Sequence, residues 1–235
     1  MISILLHLYY PESIKTVLPQ ITKDFLGEDR LYVNLVNSAP FDEKAFEVYD
    51  NVTILKSSNV GKDIGGKLVL IDSLMQLKDE SKYWIFLHDK HSPHTTTGKF
   101  WRDSLFSIVD VRNKELILDY MERIDTNVLT HKNFIMNEWR ESSQRFQTIN
   151  HDKLVELTTK YDVRPRTYEF AAGTMFWAKS EALKRFFSKN HPLDIRATLE
   201  KGNVLDHHQG TNAHSWERLL SWIALDNTKR IAGIG

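Results

Sequence analysis

Asn59-Val60-Gly61-Lys62-Asp63-Ile64-Gly65-Gly66 places a lysine and an aspartate among glycines. It follows the apolar run Val52–Leu55 and precedes a helical pattern that starts at Lys67. Glycines let a backbone approach a ligand closely. The start of a helix turns unpaired N–H groups toward an anion. Asn59, Gly61, Lys62, Asp63 and Gly65 therefore read as a phosphate or nucleotide site, the alternative being an ordinary strand-to-helix connection. A second cluster, His88-Asp89-Lys90-His91-Ser92-Pro93-His94, closes an apolar strand pattern. Lys90 offers a compact charge to a diphosphate. The three histidines invite a metal reading, but Pro93 prevents one regular helix from presenting them together, and a solvated basic loop is a third option. Nearby, Arg102 can fork onto a phosphate or pair with an acid at a helix start.

Two further stretches lie in the second half. Ala171-Ala172-Gly173-Thr174-Met175-Phe176-Trp177 runs from small to large residues. Gly173 and Thr174 suit a close backbone approach to a sugar, and strand packing would explain the pattern equally well. Asp206 to Arg218 is the densest polar stretch. Thr211 or Asn212 can cap a helix there, and His214 and Glu217, three apart, share one of its faces. Glu217 is the first candidate for a general base, with Asp206 second. A surface salt bridge is the alternative for Glu217.

The elements that must position these groups alternate between strand and helix. Strands are predicted over 2–8, 30–36, 51–56, 83–87 and 127–129, and as one buried strand over 169–177. Helices are predicted over 11–25, 67–77, 100–109, 114–124, 151–160, 180–187 and 211–225. The polar segments 137–150 and 190–210 read as long loops. This alternation predicts an α/β fold: a mainly parallel, Rossmann-type sheet flanked by helices in a single domain. Ligands in such sheets bind beyond the carboxyl ends of strands, where the polar clusters fall.

Composition narrows the function classes. The 235 residues are 41% hydrophobic, enough for a sizeable core. Thirty-one basic and 31 acidic residues cancel, which argues against nucleic acid as a partner. There is no cysteine, so disulfides and cysteine metal sites are excluded, in keeping with a reducing, cytoplasmic setting. The apolar start, Ile2–Tyr10, lacks a basic flank and a small-residue cleavage site, and reads as a strand instead of a signal peptide.

Four ordered blocks carry a resemblance: Asn59-x-Gly61-Lys62-Asp63-Ile64-Gly65; His88-x-Lys90-x-Ser92-x-His94 with Trp101-Arg102; Ala172–Trp177; and Gly210-Thr211-x-Ala213-His214-x-x-Glu217-Arg218. Together they resemble the rhamnan synthesis protein F family of bacterial polysaccharide glycosyltransferases. The resemblance implies a GT-A-like fold, with a nucleotide-sugar-binding half over about 1–100 and an acceptor-binding half over about 101–235. It implies transfer of a sugar, with dTDP-rhamnose among the donors, to a cell-surface glycan or lipid-linked glycan acceptor. That acceptor implies an encounter with the inner face of the cell membrane, and the chain is expected to be a module of a longer polypeptide. In this expectation Asp63 contacts ribose or base, while Lys62, Lys90 and Arg102, with His88, offset the diphosphate charge. Glu217 deprotonates the acceptor in an inverting reaction. Many GT-A enzymes carry Asp-x-Asp where this chain has His88-Asp89-Lys90, so no metal cofactor is expected, with Asp89 the one ligand left for Mg or Mn. Two other classes compete: a metal hydrolase built on His88, Asp89, His91, His207 and His208, and a non-catalytic nucleotide- or glycan-binding module.

Overall fold

The computed structural model describes residues 1–38, 40–89, 98–124, 126–206, 210–226, 228 and 230–235, with the backbone alone for 98–101. The first strand, β1 (Ile2–Leu8), is buried at every position. Successive side chains of a strand point to opposite faces. Ile2, Ile4, Leu6 and Leu8 accordingly join one apolar cluster, and Leu5 joins the other. The same division runs through the sheet, so helices must cover both sides.

In chain order the remaining strands are β2 (Arg30–Val36), β3 (Val52–Ser57), β4 (Tyr83–His88), β5 (Val128–His131), β6 (Ile135–Asn137), β7 (Trp139–Arg140), β8 (Arg145–Phe146), β9 (Glu169–Ala171), β10 (Phe176–Lys179) and β11 (Ala232–Ile234). The helices are α1 (Ile14–Val17), α2 (Lys23–Leu26), α3 (Lys62–Gln76), α4 (Gly98–Phe106), α5 (Val111–Arg123), α6 (His151–Lys160), α7 (Ser180–Phe187), α8 (Pro192–Ala197) and α9 (Asn212–Leu225). Seven strands make one sheet in the order β11-β5-β10-β4-β1-β2-β3. All neighbours are parallel except β10, which runs antiparallel to both β4 and β5. Strands from both halves of the chain share this single sheet, as the α/β expectation requires. Side chains of α1, α2, α4 and α5 pack on one face, and those of α3, α6, α7, α8 and α9 on the other. On β4, Trp84, Ile85, Phe86 and Leu87 have no exposed surface. Full burial of one such side chain stabilises the fold by about 1.5–3 kcal/mol.

Four expectations about the elements need correction. The helix expected from Lys67 begins at Lys62, so Lys62, Asp63, Gly65 and Gly66 lie in the first turns of α3 and not in a turn ahead of it. The helix expected over 11–25 is broken into α1 and α2 with short 3-10 turns around them. Pro19 supplies no backbone N–H to continue a helix, and Thr22 restarts one by accepting a 3.1 Å bond from the Phe25 N–H. The single strand expected over 169–177 is two strands belonging to different sheets, since β9 pairs with β6 and β10 with β4 and β5. Between them Gly173 (φ +82°) and Thr174 (φ +49°) form a left-handed turn. The segments expected to be long loops contain the β7–β8 hairpin and α8.

Candidate active site

The parallel strands β1 and β4 end at Leu8 and His88, and α3 begins after β3. These ends converge with the Gly173–Thr174 turn and the start of α9. Two adjoining cavities result. The larger, about 490 Å³, is lined by His7, Tyr9, Tyr10, Lys62, Asp63, His88, Asp89, Asn203 and Leu205. The smaller, about 220 Å³, is lined by residues that include Lys62, Asp63, His88, Gly173, Thr174, His214 and Glu217. Lys62, Asp63 and His88 belong to both walls.

The glycines of the first cluster do geometric work. Gly61 takes φ +73° at the N-cap of α3, and its N–H donates to the Glu200 carbonyl at 2.7 Å. A Cβ on Gly65 would lie 1.6 Å from the Val60 carbonyl oxygen, and one on Gly66 1.9 Å from His7 Nδ1. Both contacts are impossible, so α3 reaches the end of β1 only because these positions are bare. Lys62 also has positive φ (+52°), an uncommon conformation for a residue with a Cβ. Among the described residues it forms no ion pair, and it borders both cavities.

Lys67, one helical turn after Asp63, is fully buried, and its role was missed when the sequence was read. Its ammonium donates to Asp63 Oδ2 (2.9 Å), His88 Nδ1 (3.3 Å), the Thr174 carbonyl (2.8 Å) and the Thr174 hydroxyl. The three hydrogens of the ammonium are shared among these four neighbours, of which His88 Nδ1 is the most distant. The Thr174 hydroxyl donates to Asp63 Oδ2 at 2.5 Å. Burial pushes the Asp63 carboxyl up. The charge of Lys67, the nearby His88 ring and the bonds from Thr174 and Lys67 more than offset this, and hold it well below the usual carboxylate range. This knot joins α3, β4 and the turn between β9 and β10.

His7 was also missed. Asn34 Nδ2 lies 3.0 Å from its Nδ1, its ring is buried against Gly66, and it lines the larger cavity. Burial lowers its pKa to about 4, against the charge of Asp63 and helped by Lys67 and Arg196, so the imidazole is neutral at physiological pH. Beside it Tyr9 and Tyr10 meet edge to face, with centroids 4.7 Å apart. Asp89 ties that segment to β4, accepting from the Tyr9 N–H (2.9 Å) and the Tyr10 N–H (2.7 Å). Burial raises its carboxyl to about 6 in spite of these bonds.

On the opposite wall, Thr211 caps α9 by accepting from the His214 N–H. The Glu200 carboxylate accepts from the N–H groups of Asn212 (2.6 Å) and Ala213 (3.0 Å), a favourable place for negative charge. Since the Glu200 carbonyl also holds Gly61, one residue joins the starts of α3 and α9. Glu217 Oε1 accepts from the Gly173 N–H at 2.7 Å, and its Oε2 from Arg218 Nη1 at 2.5 Å. Arg218 also donates to the buried Glu138 at 2.9 Å and stacks 4.3 Å over Phe170. Asp206 accepts from Asn150 (2.7 Å), Thr211 (2.8 Å) and His214 Nδ1 (2.7 Å). Burial raises the Asp206 carboxyl, but these donors and the His214 ring beside it outweigh that, and the group sits below its ordinary value.

The structure thus brings together Lys62, Asp63, His88, Gly173, Thr174, His214 and Glu217, with Asp206 behind His214. Asn59 lines neither cavity and donates to Asn203 at 3.0 Å. Gly61 caps α3 and Gly65, within α3, lets the helix pass close to Val60, and neither lines a cavity. Arg102 borders neither cavity and lies against Asp103 at 3.4 Å. Lys90, His91, His94, His207 and His208 lie outside the described residues. Among the described residues no group of three or more histidine, aspartate or glutamate side chains could hold a metal ion. The donor set also fits Mg or Mn poorly, since Asp89 Oδ2 serves two N–H groups and Asp63 Oδ2 serves Lys67 and Thr174.

The family model for rhamnan synthesis protein F matches residues 1–229. The chain belongs to the rhamnan synthesis protein F family. Membership supports a role in sugar transfer, and the four motif blocks fall within the match. Among solved structures, a 4-diphosphocytidyl-2C-methyl-D-erythritol synthase aligns over 96% of this chain and 97% of its own at 13% identity and TM-score 0.45. Mouse xyloside xylosyltransferase 1, in its apo form, aligns over 99% of this chain and 85% of its own at 9% identity and TM-score 0.31. No curated protein matches the chain. No helix among the described residues is long and apolar enough to cross a membrane.

Proposed function

We propose that this family member transfers a sugar from a nucleotide-sugar to the hydroxyl of a glycan acceptor. The observation that carries this reading is the pair of cavities meeting at Lys62, Asp63 and His88. The larger, with Tyr9 and Tyr10 on its wall, takes the nucleoside. The shared wall takes the diphosphate, where the Lys62 ammonium and the His88 ring meet the charge that grows as the sugar–phosphate bond breaks. Cations placed where charge develops contribute most to the rate. The smaller cavity takes the sugar and the acceptor, next to the carboxylate of Glu217 and the imidazole of His214. Rhamnose as the sugar and a lipid-linked acceptor are proposed from the resemblance to the family, with no residue of the site selecting them. No step requires a divalent cation, consistent with the poor fit of the described donors.

The test is thermal stabilisation by UDP, dTDP, GDP and ADP, each with EDTA and with added Mg or Mn. A ligand bound only by the folded state raises the melting temperature by mass action. One nucleotide should stabilise in EDTA, and Lys62→Ala should weaken it about tenfold, the loss of one charge-assisted bond of ~1.4 kcal/mol. Stabilisation by metal alone would support the hydrolase reading instead. Nucleotide binding with no transfer to any acceptor would support the binding module.

A further inference from the structure

We infer that the Asp206–His214 pair takes the proton of the acceptor hydroxyl, and that Glu217 positions the Gly173–Thr174 turn. The inference rests on the transferase reading above.

Two neighbours of His214 Nδ1 decide its tautomer. Asp206 Oδ1 lies 2.7 Å away, and the Thr211 hydroxyl oxygen also lies 2.7 Å away. The Thr211 hydrogen is directed to Asp206 Oδ1 at 2.8 Å, so Thr211 presents a lone pair to the ring. An ionised carboxylate and that lone pair can only accept, which puts the ring hydrogen on Nδ1 and leaves a lone pair on Nε2. The Nε2 atom forms no hydrogen bond among the described residues, and His214 lines the smaller cavity. Asp206 is itself fixed from behind. Asn150 Nδ2 donates to its Oδ2 at 2.7 Å, while Asn150 Oδ1 accepts from the Thr211 N–H at 2.8 Å. Gly210 permits this approach, since a Cβ there would lie 2.5 Å from Asn150 Oδ1. A carboxylate that orients an imidazole and stabilises the imidazolium is the logic of the catalytic triad.

Glu217 is placed differently. One oxygen holds the Gly173 N–H and the other holds Arg218, which is anchored to Glu138. Through these two bonds it ties the turn carrying Thr174 to α9 and to the Arg218–Glu138 pair.

In the step, the acceptor oxygen forms a bond to the anomeric carbon as its proton passes to His214 Nε2. The bond from that carbon to the β-phosphate oxygen breaks, and its electron pair leaves on the nucleoside diphosphate. Among the described residues, the titratable groups that share the smaller cavity with His214 are Glu217 on α9, Lys62 and Asp63 on α3 and His88 on β4, with Asp206 at its Nδ1 and Arg218 at its backbone carbonyl.

Nitrogen-15 NMR of the imidazoles reads the tautomer without a substrate. The Nδ1–H form should dominate His214 in the wild type and give way to a mixture in Asp206→Asn; a dominant Nε2–H form in the wild type overturns the inference. With the nucleotide-sugar whose diphosphate binds, His214→Gln should lower kcat at least 100-fold and leave the Kd of that nucleoside diphosphate within about twofold. Glu217→Gln should raise the donor KM and lower the Tm, with kcat within tenfold. A normal kcat in His214→Gln overturns the assignment. If His214→Gln does not fold, the tautomer of His214 and the kcat in Asp206→Asn decide. Absence of nucleoside diphosphate binding to the wild type defeats the transferase reading, whereas the tautomer reports on the pair independently.

Discussion

Lys67→Met removes the buried cation while keeping an unbranched side chain of similar length. The wild-type ammonium has no exposed surface and contacts Asp63, His88 and Thr174. Removing one partner of a buried ion pair costs about 3–5 kcal/mol, because the other charge is left uncompensated. The Asp63 side chain keeps 25% of its surface exposed, so solvent recovers part of that. We expect about 3 kcal/mol, which for a chain of this size is a fall in Tm of ~6–12 °C. The double variant Asp63→Asn/Lys67→Met removes both charges and should be about 1–2 kcal/mol more stable than Lys67→Met alone. A pH series gives a second check. A carboxyl held below its unfolded value contributes stability that is present above that value and lost as pH falls through the folded one. The wild type should therefore lose this contribution below about pH 4, and Lys67→Met should not. Urea denaturation of wild type, both single variants and the double variant measures all of this. A cost under about 1 kcal/mol for Lys67→Met, or a double variant no more stable than it, would refute the idea that the pair is coupled.

Two more outcomes are expected. Asp89 titrates near 6 when folded against an ordinary 3.8, so between those values the native state holds a proton that the unfolded chain has released. Stability should then fall as pH rises across that window, by about 3 kcal/mol at 1.36 kcal/mol per unit. Asp89→Asn keeps an acceptor for the Tyr9 and Tyr10 N–H groups and should remove that slope; a constant difference between the two proteins from pH 4 to 7 would contradict it. Gly66→Ala drives a methyl group into the His7 ring and should cost about 1–3 kcal/mol by overpacking. His7→Ala in the same chain should recover most of that cost in thermal melts, and full additivity would show that the two residues do not touch.

β1, β2 and β4 were legible because each is a run of apolar residues of strand length, and they fall where expected to within a residue, whereas β6, β7, β8 and β11 are two or three residues long and carry no such signal. The glycine-bearing connection between β3 and α3 was legible from Gly61, while the inclusion of Lys62, Asp63, Gly65 and Gly66 in the helix itself was not. The helix over 11–25 misled because the spacing of Ile14, Val17, Leu18 and Ile21 is helical while Pro19 interrupts the hydrogen bonding. The strand over 169–177 misled because its apolar run is continuous, and the reversal at Gly173 and Thr174 shows only in the backbone.

By itself the sequence determined the α/β class, a glycine-bearing connection between β3 and α3, a helix start at Thr211 or Asn212 and the family. Those features are encoded in neighbouring residues, through periodicity, glycine placement and capping side chains. Only the tertiary structure decided that Lys67 binds Thr174 across 107 residues, that His7 faces Gly66, and that Asp206 pairs with His214 under the hold of Asn150. It also decided that Glu217 grips the Gly173 N–H. Such contacts depend on which strand ends the sheet order brings side by side, and no local spacing in the chain carries that information.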